Sequence, residues 1–512
     1  MEALAPPACT PPERAYRRRR PERGVLHRVL SEHLATFLAR GDSDETRAGL
    51  PRYVRRELSA YLRCGILAHG FARVRCGSCG KDALVAFSCK GRGFCPSCGG
   101  RRMAETAAHL VDRVLPDVPV RQWVLSMPWR LRFLLASDPA LTRAVRRSFL
   151  RAVFASYRAR AERDGVAAGR TGAVNVVQRF GSALNLNVHF HALVLDGVYT
   201  AESPFARPVF HPAGDLEDEE VARLVQTLRD RIVRLLRRRG LWPAPGEEGG
   251  AGEHDDDSLL PFLSAASIQG RVALGPDAGR RIERLGHAPS DAPSFEPGAL
   301  CAAIDGFSLH AQVQVEAGDR ERLEHLCRYV ARPPIATERL SLSSEGKVVY
   351  ELRRPWRDGT THFVFEPLTF LERLAALVPH PREHMVTYHG VLASAASWRD
   401  MIVPAPDESD DEPPTIWHPE PRAPAATPSP VAPRPAPEPH RSEPHRYRWS
   451  ELLRRVFEID VLHCDHCGGR RELIALITHP VVVRRILRHL ELPSEPLPIA
   501  PARPPPQMAF AF

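Results

Sequence analysis

Residues 184–199 of the chain read LNLNVHFHALVLDGVY. Apolar residues dominate this stretch up to an Asp-Gly pair that is typical of a turn, so the pattern predicts a buried β-strand ending there. Successive side chains of a strand lie on opposite faces of its sheet, which puts His189 and His191 on one face and Phe190 on the other. Two neighbouring imidazoles on a rigid strand are candidate metal ligands, and the alternative interpretation is a pair of structural histidines.

The rest of the apolar patterning predicts a mixed fold of the α+β class. Short apolar runs predict further strands at 123–126, 173–177 and 307–315. Apolar residues at helical spacing predict helices within 25–62 and at 219–240, and the second of these is basic and amphipathic. These patterns predict a sheet accompanied by helices.

A second candidate element is the segment 323–340, which reads LEHLCRYVARPPIATERL. At about 100° per residue, one helical face carries an apolar stripe: Leu323, Leu326, Cys327 and Val330. Tyr329 falls off that stripe, near His325 and Arg332, and two prolines then end or bend the helix. A tyrosine kept off the apolar face beside cationic groups is placed to meet a phosphate, although exposed tyrosines are common in proteins.

The chain contains 11 cysteines, an odd number, and most of them lie in close pairs. This pattern favours metal binding in a reducing compartment over a disulfide framework. One set has the spacing C-x2-C-x15-C-x2-C of a zinc site: Cys76, Cys79, Cys95 and Cys98. Cys64, His69 and Cys89 lie nearby in the sequence and are candidate ligands for a second ion. Without a zinc site, these residues would simply be reduced core side chains.

Another cysteine pair lies near the C-terminal end, at Cys464 and Cys467. Two cysteines are too few for a structural zinc site. A third and fourth ligand would have to come from His463 and His466 or from a partner chain. A structural knuckle without metal is an equal alternative for this pair.

Composition points to a polyanionic partner, since the formal net charge is +9. Arginine supplies almost all of the positively charged side chains, and a GC-rich genome also favours arginine. No segment approaches the roughly 20 apolar residues of a membrane span. The first residues lack the apolar core of a secretory signal, so we expect a bacterial cytoplasmic protein associated with the nucleoid. The absence of a G-x-x-x-x-G-K-[ST] motif predicts that no nucleotide cofactor is used.

Five motifs in order make the chain resemble the rolling-circle transposases of the IS91 group, in the HUH endonuclease class. The stretches that carry this resemblance are FSCKGRGFCPSCGGRRMAE (87–105), VHFHALVLDGVY (188–199), RYVARPP (328–334), MVTYHGVLA (385–393) and FEIDVLHCDHCGGRRELIALI (457–477). With the composition shifts along the chain they predict these regions: a flexible basic arm at 1–24, a helical and zinc-binding domain at 25–110, an HUH tyrosine transposase domain at 111–403 with an insertion at about 201–300, a Pro-rich disordered linker at 404–446, a small Cys/His module at 447–493 and a tail at 494–512.

The resemblance implies that the transposase domain is an antiparallel sheet with flanking helices. It also implies that Tyr329 is the nucleophile, with His189 and His191 holding a catalytic Mg²⁺ or Mn²⁺ ion. It also implies a 5′-phosphotyrosine intermediate on single-stranded DNA at the ends and target of a mobile element, and a structural Zn²⁺. Some relatives carry two tyrosines four residues apart on this helix. Here the first position is His325, so the chain is similar to the single-tyrosine members.

The third ligand of the catalytic ion stays open at this stage. Related single-tyrosine enzymes have a glutamine one turn after the nucleophile, where this chain has Pro333. The candidates are Gln178, Asn187 and His325, and we name Gln178 because it ends the apolar run before the histidine strand. Basic residues around the zinc module and the tyrosine are candidate DNA contacts: Lys90, Arg92, Arg101, Arg328 and Arg332. The alternative interpretation is that the charges of the zinc module only keep it soluble.

Two other functions remain compatible with the sequence. A replication initiator or relaxase would use the same chemistry on a different DNA site. A zinc-dependent DNA-binding regulator would have no nuclease activity and would not need Tyr329.

Overall fold

The structure is a computed structural model that describes residues 18–43, 47–203, 206–242, 258–286, 298–405 and 447–504. Most of the expected basic arm and almost all of the expected Pro-rich linker lie outside these residues. Within them, no helix is long and apolar enough to cross a membrane.

The N-terminal region combines two helices with a small zinc-module fold. Its elements are α1 (Val25–Asp42), α2 (Arg52–Tyr61), β1 (Phe71–Cys76), β2 (Asp82–Ala86) and α3 (Pro96–Arg113). The helical structure expected within 25–62 is therefore present, as two helices with an interruption between them. β1 and β2 form an antiparallel hairpin, and α3 starts directly after Cys95 with a proline in its first turn.

The middle of the chain supplies most of the central sheet and the helices behind it. Its elements are β3 (Val120–Ser126), α4 (Trp129–Ser137), α5 (Pro139–Arg163), β4 (Gly172–Phe180), β5 (Leu186–Leu195), β6 (Gly197–Thr200), β7 (Val209–Pro212) and α6 (Asp218–Arg238). The expected strands at 123–126 and 173–177 are confirmed as parts of β3 and β4, and the helix expected at 219–240 as α6.

The following region completes the sheet and adds a second one. Its elements are α7 (Leu259–Gln269), β8 (Glu283–Leu285), β9 (Cys301–Ile304), β10 (Phe307–His310), β11 (Gln314–Val315), α8 (Arg320–Ala331), β12 (Leu340–Leu342), β13 (Val348–Glu351), β14 (His362–Phe365), α9 (Pro367–Leu377), β15 (Val386–Gly390) and α10 (Arg399–Ile402). The single strand expected at 307–315 is divided into β10 and β11, which both pair with β3. Between them, the Ala311 carbonyl accepts a hydrogen bond from the Arg121 guanidinium.

The central sheet is antiparallel and has the order β15-β4-β5-β3-β10-β9, with β11 also beside β3. The mixed α+β class expected from the sequence is thus confirmed. The strand β5, which carries the two histidines, lies at the centre of this sheet. A central strand is held by hydrogen bonds on both sides, so its side chains have fixed positions.

Helices cover both faces of the central sheet. Phe190 of β5 is fully buried in one core with Phe149 of α5 and Ile232 of α6. The opposite face packs against α3 and α8, where Leu193 of β5 shares a core with Leu326 of α8. Alternation along β5 therefore separates an apolar face from the face that carries the histidines, as the sequence predicts.

A buried polar network fixes the end of β5. Asp196 forms an ion pair with Arg121 at 2.8 Å and accepts a 2.6 Å hydrogen bond from the Tyr157 hydroxyl. The indole of Trp123 in turn donates to the Tyr157 oxygen at 3.2 Å. Burial, followed by the nearby Asp196 carboxylate, raises the pKa of Tyr157. Because each buried group has a partner, the network ties the strand end to β3 and α5.

The last described elements are α11 (Trp449–Phe457), β16 (Arg471–Ile477) and α12 (Pro480–His489). They pack against the N-terminal region: β16 joins β1 in the order β16-β1-β2, and Leu452 of α11 packs on Ala104 and Ala108 of α3. A separate four-stranded sheet, β12-β13-β14-β8, shares its core with α1 and α9.

Candidate functional site

The two histidines of β5 lie side by side at the centre of the sheet. His189 is opposite Gln178 of β4, and His191 is opposite Val176 of β4 and Val124 of β3. Their ring centroids are 4.9 Å apart. This is the arrangement expected of residues two positions apart on one strand face.

Hydrogen bonds at Nδ1 orient both imidazoles. His189 Nδ1 lies 2.9 Å from the carbonyl oxygen of Asn187, to which it donates, so its Nε2 is available as a ligand atom. His191 Nδ1 lies 2.8 Å from the side-chain amide nitrogen Nε2 of Gln122 on β3. His191 Nε2 is buried and has no hydrogen-bond partner among the described residues. A buried nitrogen of this kind is costly unless something binds it.

The electrostatics of the site keep both rings neutral at physiological pH. Burial lowers the pKa of His189 to about 4; the hydrogen bond to Asn187 acts in the opposite direction, and Arg332 and Arg132 lower it further. Burial, His189 and Arg332 together hold the pKa of His191 well below its ordinary value. Neutral imidazole is the form that binds a metal ion.

Gln178 connects the histidine pair to α8. Its side-chain N–H groups donate to the backbone carbonyls of Tyr329 at 3.3 Å and Val330 at 2.7 Å. Its Oε1 is buried and has no partner among the described residues. Two imidazole nitrogens and an amide oxygen are a donor set that suits a divalent ion such as Mn²⁺ or Mg²⁺. Of the other candidates, Asn187 also has an unpartnered buried amide oxygen, and His325 is exposed.

Tyr329 lies beside this pair at the C-terminal end of α8. Its ring centroid is 6.1 Å from that of His191, in an edge-to-face arrangement, and its side chain is 41% exposed. The Arg332 guanidinium carbon lies 4.3 Å from the tyrosine ring centroid. The structure thus brings together three elements that are far apart in the sequence: β4, β5 and α8.

The position of α8 follows from its sequence. The apolar stripe is buried against the sheet and α3, as the periodicity predicts. Asp319 caps the N-terminus by accepting a 3.0 Å hydrogen bond from the backbone N–H of Arg322. Arg320 donates to backbone carbonyls at the end of α3, including that of Leu115 at 3.1 Å. Tyr329 is therefore held on the accessible side of a well-anchored helix.

A cleft of about 330 Å³ adjoins the site and is lined by both the zinc-module region and the sheet. Its cationic residues include Arg92, Arg102 and Arg332, and Gln178 also lines it. The buried Arg179 at its wall has Glu383 within 3.8 Å.

The expected DNA contacts differ in their availability for binding. Lys90 and Arg101 are exposed. Arg328 forms an ion pair with Glu324 at 3.3 Å, which lowers its availability for phosphate. Arg92 and Arg332 line the cleft.

The zinc ligands expected from the sequence do not form one site. Cys95 and Cys98 lie with Cys64 and Cys89, while Cys76 and Cys79 lie elsewhere. In the first group, which we call the N-terminal tetrad, sulfur separations include 3.6 Å for Cys64–Cys95 and 3.4 Å for Cys89–Cys98. The reason is geometric: Cys76 ends the hairpin strand β1, whereas Cys95 directly precedes α3 on the other side of the module.

Cys76 and Cys79 instead form a second group with Cys464 and Cys467, which we call the composite tetrad. The ligand atoms of each tetrad all lie within 4.8 Å of one another. A tetrahedral ion with Zn–S bonds of about 2.3 Å places its sulfurs about 3.8 Å apart, so both tetrads fit zinc. In this arrangement neither His463 and His466 nor a partner chain is needed as a source of further ligands for the C-terminal pair. Cysteines of the hairpin complete it, and His69 belongs to neither tetrad.

Two family models match separate segments of the chain. Residues 172–399 match the model described as "Putative transposase", and this segment includes the histidine pair and Tyr329. Residues 29–127 match the model described as "Transposase zinc-binding domain". Searches of curated proteins and of solved structures found no match to the chain.

These matches support a transposase, an enzyme class that binds DNA, cleaves it and transfers strands. The zinc-binding match supports a transposase of the IS91 type. Together with the cysteine tetrads, it also supports structural zinc in this chain.

Proposed function

We propose that the protein is an HUH-type transposase that nicks and rejoins single-stranded DNA at the ends of a mobile element through Tyr329. The observation that carries this proposal is the 6.1 Å approach of the Tyr329 ring to His191 on the central strand. A regulator without nuclease activity has no need for an accessible tyrosine beside two neutral, buried imidazoles.

The chemical step is a phosphoryl transfer to the tyrosine. The Tyr329 oxygen attacks the scissile phosphorus, the bond from phosphorus to the 3′ oxygen breaks, and the phenolic proton is released. The products are a 5′-phosphotyrosine and a strand that ends in a free 3′-hydroxyl after the leaving oxygen takes up a proton. Arg332, which lies over the tyrosine ring, supplies a positive charge for the phosphate oxygens.

The unpartnered atoms of the site fit a divalent ion. His189, His191 and Gln178 would hold it, because His191 Nε2 and Gln178 Oε1 are buried without other partners among the described residues. When bound, Mg²⁺ or Mn²⁺ supplies polarisation of the phosphate and charge neutralisation. Gln122 and the Asn187 carbonyl orient the rings, and Gln178 fixes the end of α8 relative to them.

The accessible surface beside the site suits a single DNA strand. The cleft with Arg92, Arg102 and Arg332 leads to Gln178, so a phosphate backbone can follow it to the tyrosine. Lys90 and Arg101 are exposed on the same zinc-binding region and can extend this contact. Exposed Arg and Lys residues interact with any phosphate, so this path gives affinity and not sequence choice.

A single tyrosine is enough for cleavage followed by rejoining. The free 3′-hydroxyl of a strand can attack the phosphotyrosine, which restores a phosphodiester and releases Tyr329. The covalent link conserves the bond energy, so no nucleotide cofactor is needed. His325, at the position of the first tyrosine in two-tyrosine relatives, cannot form the same ester.

The decisive experiment uses a single-stranded element end labelled on the 3′ side of the cut, with and without Mn²⁺. We expect the label to stay on the wild-type protein through denaturing electrophoresis, and peptide mapping to locate it at Tyr329. Tyr329→Phe should lose the adduct and the cleavage while keeping DNA affinity and zinc content, because it removes one oxygen from a partly exposed side chain.

Tyr388→Phe is the matched control, since Tyr388 is the half-buried tyrosine of β15 and should not be needed. An adduct on Tyr388, or continued cleavage by Tyr329→Phe, would overturn the proposal. A regulator predicts no adduct in any variant. An initiator or relaxase predicts cleavage of a replication or transfer origin in preference to element ends.

A further inference from the structure

We propose that the composite tetrad binds a structural zinc ion that fastens residues 447–493 to the zinc-binding region and, through it, to the helix of Tyr329. Cys464 and Cys467 lie outside both segments that match transposase family models. This inference does not depend on the nuclease chemistry proposed above.

The two halves of the composite tetrad are built alike. In the hairpin, the Cys76 N–H donates to the Lys81 carbonyl at 2.9 Å, and the Gly80 N–H donates to the Cys76 carbonyl at 3.0 Å. At the C-terminal end, the Cys464 N–H donates to the Gly469 carbonyl at 2.8 Å, and Gly468 donates to the Cys464 carbonyl at 2.9 Å.

Gly80 and Gly468 have φ angles of +71° and +74°, which favour glycine in both turns. Both turns therefore have the shape of a zinc knuckle, and they face each other. The nearest sulfur pairs across the two knuckles are Cys76–Cys467 at 3.5 Å and Cys79–Cys464 at 3.7 Å. A hydrogen bond from the Gly77 N–H to the Arg470 carbonyl at 3.1 Å joins the two turns directly.

The apolar contacts of the C-terminal segment are too few to hold it firmly without metal. One face of β16 is largely open to solvent, since Leu473 and Leu476 are 59% and 66% exposed. The core beneath it is small: four residues are buried, and five partly buried apolar side chains pack against them. The buried residues are Leu67, Phe71, Val483 and Leu487. Small modules of this kind usually need a metal or another covalent-like link for stability.

The fastened segment reaches the helix of the proposed nucleophile. The Arg455 guanidinium of α11 donates to Glu324 of α8 at 2.8 Å and to Asp112 of α3 at 2.9 Å. The Tyr447 hydroxyl also donates to Asp112 at 2.8 Å. Since Glu324 lies on the helix of Tyr329, release of the C-terminal segment would remove one support of that helix.

The test uses the full chain with a site-specific protease sequence inserted in the segment 406–446. Zinc content is measured by elemental analysis before cleavage, and co-purification of the two fragments is measured after it. For the wild type we expect the fragments to stay together. Cys464→Ser with Cys467→Ser should contain one zinc ion fewer per chain and should release its C-terminal fragment. Cys301→Ser, a cysteine outside both tetrads, is the matched control and should behave like the wild type.

Cobalt substitution gives a second measurement of the metal sites. The wild type should show the thiolate-to-cobalt absorption of two tetrahedral sites, and the double variant should lose about half of it. Equal zinc content in wild type and double variant would overturn the site. Continued co-purification of the fragments from a variant that has lost one zinc ion would overturn its fastening role.

Discussion

Replacing Gln122 with leucine tests the metal site without touching a proposed ligand. Gln122 is buried on β3, and its amide lies 2.8 Å from His191 Nδ1. Rotation of this amide by a half-turn exchanges its oxygen and nitrogen. If His191 binds metal through Nε2, its Nδ1 must carry the proton, and Gln122 must present its oxygen as acceptor.

The magnitude follows from this single contact. Loss of a partner that orients a metal-binding imidazole typically lowers metal affinity about 10- to 100-fold, which corresponds to about 1.4 to 2.7 kcal/mol. Leucine has a similar volume, so the packing should change little. Gln122→Glu keeps an acceptor toward Nδ1 and should retain most of the affinity, whereas Gln122→Leu should not.

The assay is Mn²⁺ binding to the purified full-length protein, measured by calorimetry and by electron paramagnetic resonance of the free ion. Gln314→Leu is the control, because Gln314 lies on β11 and contacts Arg121 instead of the histidines. Two results would refute the reasoning. One is wild-type Mn²⁺ affinity in Gln122→Leu, and the other is an equal loss in Gln122→Glu and Gln122→Leu.

Two further predictions concern the ligands and the support of the tyrosine. His189→Ala with His191→Ala should abolish cleavage and keep DNA binding, checked by cleavage and gel-shift assays; a proportional loss of both would make the pair structural. Gly99→Ala should lower the free energy of unfolding by about 1 to 3 kcal/mol, measured by thermal unfolding, because the added Cβ would lie 2.6 Å from the Pro333 Cβ. The same substitution should lower the cleavage rate. Gly100→Ala is its control, with no atom within 4 Å of the added carbon, and equal effects of the two substitutions would contradict the proposed contact.

Local periodicity accounts for what the sequence could predict. The alternation around Phe190 placed the histidines on one strand face, and the stripe on α8 left Tyr329 accessible. Both features depend only on neighbouring residues and on the geometry of one element. The association of β5 with α8 was inferred from motif order and resemblance, because no periodicity encodes which elements pack together.

Cysteine spacing could not predict the pairing of the zinc ligands. The chain repeats the pattern C-x2-C-G three times, at 76–80, 95–99 and 464–468. Any two of these pairs are chemically equivalent partners, and the C-terminal pair lies beyond a long Pro-rich segment. The isolated Cys64 and Cys89 carried no pair signal of their own. The pairing was settled by the register of β16 on β1, a long-range contact that local patterns do not contain.

The role of Gln122 was equally invisible in the sequence. It directly follows Arg121 in β3, and two adjacent polar residues are easily taken for the exposed start of a strand. Its partner His191 is identified only when β3 is paired with β5. Residues that orient ligands belong to neighbouring strands, so a motif on one strand cannot reveal them.

The contacts of α8 indicate that the zinc modules act mainly by positioning Tyr329 and less by contacting the reacting groups. Three supports meet on this helix: the Gln178 amide at its last carbonyls, the packing of α3 along its stripe, and the Arg455 guanidinium at Glu324. α3 begins at the N-terminal tetrad, and α11 belongs to the segment that the composite tetrad holds. An in-line attack needs the nucleophile within a few tenths of an ångström of its productive position. Loss of the zinc ion of the composite tetrad should therefore reduce the cleavage rate more than the affinity for DNA, because the cleft residues Arg92 and Arg102 lie beside the N-terminal tetrad instead.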